Sequence, residues 1–166
     1  LALFRNLRFS AASAAVTITF FSLMGFIFVI TLYFQFLKGY GPLSTGLRLL
    51  PVATLTGITS VLGTRLAVQR GTKLVVAGGM VSLAIGLAWA STSSTSTSYL
   101  TIAGSMVFIG SGIGLTSAPA TESIMGAVSA AKAGVGSAVN DATRITGATL
   151  GVAVIGSIYA SIYASR

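Results

Sequence analysis

Apolar residues run along this chain in five long stretches, each set off by a short polar or glycine-rich interval. The first, residues 11–37, contains no charge and exceeds the roughly 20 apolar residues that a helix needs to cross a bilayer. Its second half is aromatic, with Phe20, Phe21, Phe26, Phe28, Phe34 and Phe36, and Tyr33 near its end suits a membrane interface. Gly39, Gly41 and Pro42 then mark a turn over residues 38–45. A second span is predicted over 46–68, with Arg48 near its start, placed to snorkel toward headgroups, and Pro51 one turn in. The basic loop that follows carries Arg65, Arg70 and Lys73. A third span covers 74–90, where Gly78, Ser82 and Gly86 recur every four residues as a close-packing stripe. The serine- and threonine-rich run 91–98 reads as a solvated loop. A fourth span covers 99–118 and is ended by Pro119; a small loop or surface helix with Glu122 and Lys132 leads to the fifth span, 134–163.

The fifth span departs from pure apolarity. Asn140, Asp141 and Arg144 lie two to three turns from its start, about 10 Å deep at 1.5 Å per residue. Asp141 and Arg144 are three apart, so their side chains can meet on one face. The pair has a gating or proton-coupling reading and a plainer one as a structural ion pair near the membrane surface. Asn140 is either an interhelical hydrogen bond or a cavity-lining group. Gly147 and Gly151, with Gly110 and Gly114 in the fourth span, are helix-packing positions. Tyr33 and Gln35 are the better cavity candidates of the first span, because its phenylalanines are cheap in lipid or core.

Composition narrows the class. The chain is 54% hydrophobic and 7% charged, with no cysteine and no histidine. A soluble domain is typically about 25% charged, so this is an all-α polytopic membrane protein by expectation. Thiol or imidazole catalysis and Cys/His metal sites are excluded, and two carboxylates, Glu122 and Asp141, are too few for a paired-acid hydrolase. No cofactor is expected and an enzyme is disfavoured. The net charge of +8 comes from singly scattered residues with no basic face, which argues against nucleic acid. The charge marks sidedness instead. Arg5, Arg8, Arg65, Arg70, Lys73 and Lys132 fall on one side, Lys38, Arg48 and Arg166 on the other, which puts the N-terminus in the cytoplasm. The GSGIG string in the fourth span sits within an apolar run, out of context for a phosphate loop.

Several stretches resemble one family. The lead-in with Arg5 and Phe9, the run Leu32-Tyr33-Phe34-Gln35, the segment GYGPLSTGLRLLP, the basic RLAVQRGTK and the glycine pattern of the fifth span are similar to the major facilitator superfamily, in particular its fourteen-span drug:proton antiporter branch, the QacA-like exporters. The resemblance implies the first five helices of a C-terminal transporter bundle, with the N-terminal half of the same polypeptide as partner. It implies proton-coupled efflux of amphipathic small molecules across the plasma membrane. It also implies that the fragment does not transport alone. Val68 stands where that family's basic loop usually carries an aspartate, which leaves Arg65, Arg70 and Lys73 without a local acid. A facilitator for another solute and a non-transporting membrane interaction protein are the alternatives.

Overall fold

In a computed structural model, which describes residues 6–94, 96–129 and 132–164, the chain is a bundle of helices with no strand among the described residues. The elements are α1 (Leu7–Leu32), continued by a π-helical turn (Tyr33–Leu37), then α2 (Pro42–Arg48), α3 (Leu50–Arg70), α4 (Thr72–Ser91), α5 (Tyr99–Gly126) and α6 (Ala133–Ala164). Among the described residues five segments are long and apolar enough to span a membrane: Leu7–Leu37, Pro42–Arg70, Thr72–Ser91, Tyr99–Gly126 and Ala133–Ile162. Arg5 and Arg166 of the charge comparison lie outside the described residues.

Local chemistry moves several predicted boundaries. The first helix starts earlier because the Asn6 side chain caps it, accepting from the Arg8 backbone N–H at 3.0 Å. The second span also starts earlier, with Pro42 in the first helical turn, where its missing N–H costs nothing. Pro51 then leaves no donor for the carbonyl one turn back, and the chain breaks at Leu49 between α2 and α3. Pro119 does not end the fourth span: α5 runs through it to Gly126. Only one backbone hydrogen bond is forfeited there, and the ring is buried against α3 at Gly63. The basic stretch is not a loop either. Arg65 and Arg70 are in the last turns of α3 and Lys73 in the first turn of α4, joined by Gly71 alone at φ 87°.

The bundle is built around α5, which packs against α4, α3 and α1, while α6 lies mainly on the outer side of α1. Glycines decide how close these helices come. Gly112 faces α4, where a Cβ would stand 2.6 Å from the Gly79 carbonyl oxygen; Gly110 faces α3, where it would stand 2.7 Å from that of Val52, and Gly114 does the same beside Thr56. The glycine-rich string thus serves two neighbours at once. Gly147 and Gly151 of α6 lie directly on the Thr17 and Phe21 carbonyls of α1. The α4 stripe is shifted by one residue from expectation. Gly78 has open space around it, and Gly79 and Gly86, with buried Val75 and Leu83, form the contact face. Ser82 still joins that interface, donating to the Phe108 carbonyl at 2.9 Å.

Paired positions give the direction of each crossing. Thr17, Phe21 and Gly25 meet Gly147, Gly151 and Ile155 in the same order, so α1 and α6 are parallel. Gly79 and Gly86 meet Gly112 and Ser105, so α4 and α5 are antiparallel. Successive spans therefore traverse in alternating directions. One end gathers Arg8, Arg70, Lys73, Lys132, Glu122 and Asp141; the other gathers Lys38, Arg48, Tyr33, Tyr40 and Tyr99. These are called the basic end and the aromatic end below.

Candidate functional site

The polar residues of α6 separate onto different faces. Asn140 is 6% exposed, in the interface with α5 and α1. Its Oδ1 accepts from the Thr121 hydroxyl at 3.3 Å, and Arg144 Nη2 donates to the same Thr121 oxygen at 3.1 Å. The Arg144 guanidinium carbon lies 5.1 Å from the centre of the Phe20 ring. This knot links α6, α5 and α1. Asp141 is not part of it. Asp141, about 100° around the helix from Asn140 at 3.6 residues per turn, is exposed and makes no ion pair or hydrogen bond among the described residues. The expected Asp141–Arg144 pairing is absent, because packing pulls Arg144 inward to Thr121 and Phe20 while Asp141, one position beyond Asn140, points out of the bundle. Arg144 thus has a hydroxyl and an aromatic face in place of a carboxylate, and its Nε is buried without a partner.

Three cavities stand out among the described residues. One of about 620 Å³ lies between α1, α4 and α5 at the basic end, apolar inside (Ala12, Ala15, Val76, Met80) with Arg8 and Lys73 at its rim. A polar neighbour of about 460 Å³ shares Arg8, Thr72 and Ser123 with it and adds Asn6 and Glu122. The third, about 390 Å³, runs beside α1 toward the aromatic end and is lined by Phe21, Phe26, Leu87, Ile155 and Tyr33 among others. Gln35, Asn140, Asp141 and Arg144 line none of the three. Gln35 is half-buried on the π-helical turn. Arg65, Arg70 and Lys73 are all exposed, without an ion pair among the described residues.

Sequence reasoning missed the aromatic end. Tyr33 reaches the Ser94 carbonyl at 2.8 Å, and Lys38 Nζ donates to the Thr97 carbonyl at 3.2 Å while lying 5.7 Å from the Tyr33 ring. Arg48 does not snorkel outward. Its guanidinium carbon sits 3.9 Å above the Tyr40 ring and 5.7 Å from that of Tyr99, and its Nη1 donates to the Ser44 carbonyl at 3.1 Å and to the Ser44 hydroxyl. Phe34, 1% exposed, stands behind both tyrosines at 5.8 and 6.3 Å. The signal available in the sequence was the lack of any acid near Lys38 and Arg48, which leaves aromatic faces and carbonyls as their partners. Among the described residues no group of His, Cys, Asp or Glu could hold a metal. The arrangement offers surfaces for binding.

Comparison with known proteins points one way. Over 161 residues, 97% of the chain, it is 34% identical to the multidrug resistance protein Stp of Mycobacterium tuberculosis. It is 28% identical over 164 residues to the multidrug efflux pump LfrA of Mycolicibacterium smegmatis. It is 27% identical over 135 residues, 81% of the chain, to the methyl viologen resistance protein SmvA of Salmonella typhimurium. The chain spans 30%, 32% and 27% of the length of these three relatives. No family model and no solved structure matches it.

Proposed function

We propose that this chain is a section of a secondary active transporter that exports amphipathic or cationic compounds by alternating access, driven by protons. The observation that carries the proposal is the similarity of 97% of the chain to a multidrug resistance protein, borne on five apolar spans that cross in alternating directions. On this reading the protein is a C-terminal bundle of the QacA-like branch of the major facilitator superfamily. It lies in the plasma membrane with the basic end cytoplasmic, surrounded by lipid and facing an N-terminal half of the same polypeptide. The two halves rock around a site near the bilayer midplane.

The residues divide into scaffold and working groups. The Asn140–Thr121–Arg144 knot fixes α6 to α5 and α1, so that these helices move together. Asp141, exposed on the face of α6 that no described helix covers, is the group placed to meet a proton, a cationic solute or the other half. Tyr33 lines the cavity beside α1.

The test is ethidium efflux from cells expressing the complete reading frame that contains this chain. Efflux is expected to stop when a protonophore collapses the gradient. Asp141→Asn is expected to lower efflux at least about tenfold, with protein amount in the membrane unchanged. Efflux that survives the protonophore removes the proton-driven reading, and wild-type efflux in Asp141→Asn removes that residue from the mechanism.

A further inference from the structure

The aromatic end holds a cation already in place. Arg48 is half-buried, its guanidinium carbon lies 3.9 Å over the centre of the Tyr40 ring, and Tyr99 and Phe34 complete the wall. Aromatic faces grouped in this way attract cations through the ring quadrupole, and such cages recognise quaternary ammonium and guanidinium groups. Both carboxylates of the chain are at the opposite end, so no acid competes for the charge here.

The walls do not need the Arg48 side chain to hold their shape. The Tyr40 backbone N–H donates to the Phe34 carbonyl at 2.9 Å. The Tyr99 hydroxyl donates to the Arg48 backbone carbonyl at 3.1 Å, a bond that any residue at position 48 can accept. Phe34 is fixed by burial at the π-helical turn. Tyr40 and Tyr99 are themselves only half-buried, so the site opens to solvent. With the side chain withdrawn, the Ser44 carbonyl and hydroxyl remain as acceptors at the edge of the box.

We propose that this box is a recognition site for small guanidinium-type organic cations, occupied in the resting protein by Arg48 as an internal competitor. An incoming cation stacks on Tyr40, donates N–H bonds to Ser44, and displaces the Arg48 head toward water. The inference stands on the geometry of the box and does not depend on the export reading.

The experiment uses the detergent-solubilised chain, N-methylguanidinium as probe and N-methylurea as its neutral counterpart, read by saturation-transfer NMR of the probe methyl group. Removing the competitor is expected to raise affinity: Arg48→Ala binds N-methylguanidinium at least about tenfold more tightly than wild type. Adding Tyr40→Leu to Arg48→Ala abolishes that gain, and N-methylurea binds neither protein. Unchanged or weaker binding in Arg48→Ala, or binding that survives loss of Tyr40, overturns the proposal. A second measurement covers a variant that does not fold. In wild type, the rate at which the Arg48 guanidinium protons exchange with solvent, followed by NMR, is expected to rise when N-methylguanidinium is added at tens of millimolar and to stay constant with N-methylurea. A rate unaffected by either compound also overturns it.

Discussion

Arg144 shows how a charge is held below a membrane surface without an acid. Its guanidinium donates to the Thr121 hydroxyl oxygen and lies over Phe20, and the Thr121 hydroxyl donates in turn to Asn140 Oδ1. Interhelical hydrogen bonds of this kind average about 0.6 kcal/mol in membranes, so Thr121→Val is expected to lower the stability of the purified chain by about 0.5–1.5 kcal/mol, measured by thermal unfolding in detergent. Arg144→Lys is expected to cost nearly as much as Arg144→Ala, because a compact, strongly hydrated ammonium is a poorer fit beside the Phe20 ring than the weakly hydrated guanidinium. The separation of Asp141 from Arg144 gives a sharper check. Side chains that do not touch have additive effects, so a cycle of Asp141→Asn and Arg144→Ala should show a coupling energy within about 0.5 kcal/mol of zero. A coupling above 1 kcal/mol would restore the ion pair. The sequence placed both residues correctly along the helix, yet three-residue spacing only permits a contact. Arg144 instead donates to Thr121, a partner twenty-three positions away.

At the scale of the helix, glycine registers determine who packs against whom. Gly78 and Gly79 are neighbours with opposite surroundings: nothing lies near the first, while a Cβ on the second would stand 2.9 Å from the Gly112 carbonyl oxygen and close to Thr116. Gly78→Ala is therefore expected to change stability by less than about 0.5 kcal/mol, and Gly79→Ala to destabilise by about 1–3 kcal/mol, since α4 and α5 must part. The same measurement in detergent compares the two, and equal effects would refute the assigned contact face. Small residues at a spacing of four were legible in the sequence; the true face was not, because Gly79 is followed four residues on by Leu83 and so lies outside that stripe. Pro119 is the same lesson in another form. In water it would end a helix, but buried against α3 it costs one hydrogen bond and the helix continues.

Across the whole molecule, burial is uneven. The most apolar window of α5 is 50% buried within the chain and that of α6 only 11%. Opening should follow that gradient, because segments with few buried contacts exchange first. Hydrogen exchange of the chain in nanodiscs is expected to be slowest for backbone amides of α5 around Ile109 and Ile113 and fastest in the second half of α6. Protection as strong in α6 as in α5 would mean that another surface, such as a second copy, covers α6. The exposed face of α6 carries Val154, Ile158 and Ile162 as well as Asp141, so it suits lipid along most of its length and a polar neighbour near one end.

The amino-acid sequence by itself determined that there are five spans, roughly where each lies, and that few charges fall inside them. Those conclusions follow from the bilayer, which demands about 20 apolar residues per crossing and leaves little room for charges, wherever the helices later meet. Tertiary structure alone decided the partners: Arg144 with Thr121, Arg48 inside an aromatic box, Gly79 in place of Gly78, α5 at the centre and α6 at the margin. Between apolar helices in lipid the hydrophobic effect gives no preference, so the choice falls to close packing and a few hydrogen bonds, and those depend on three-dimensional register that one-dimensional spacing leaves open.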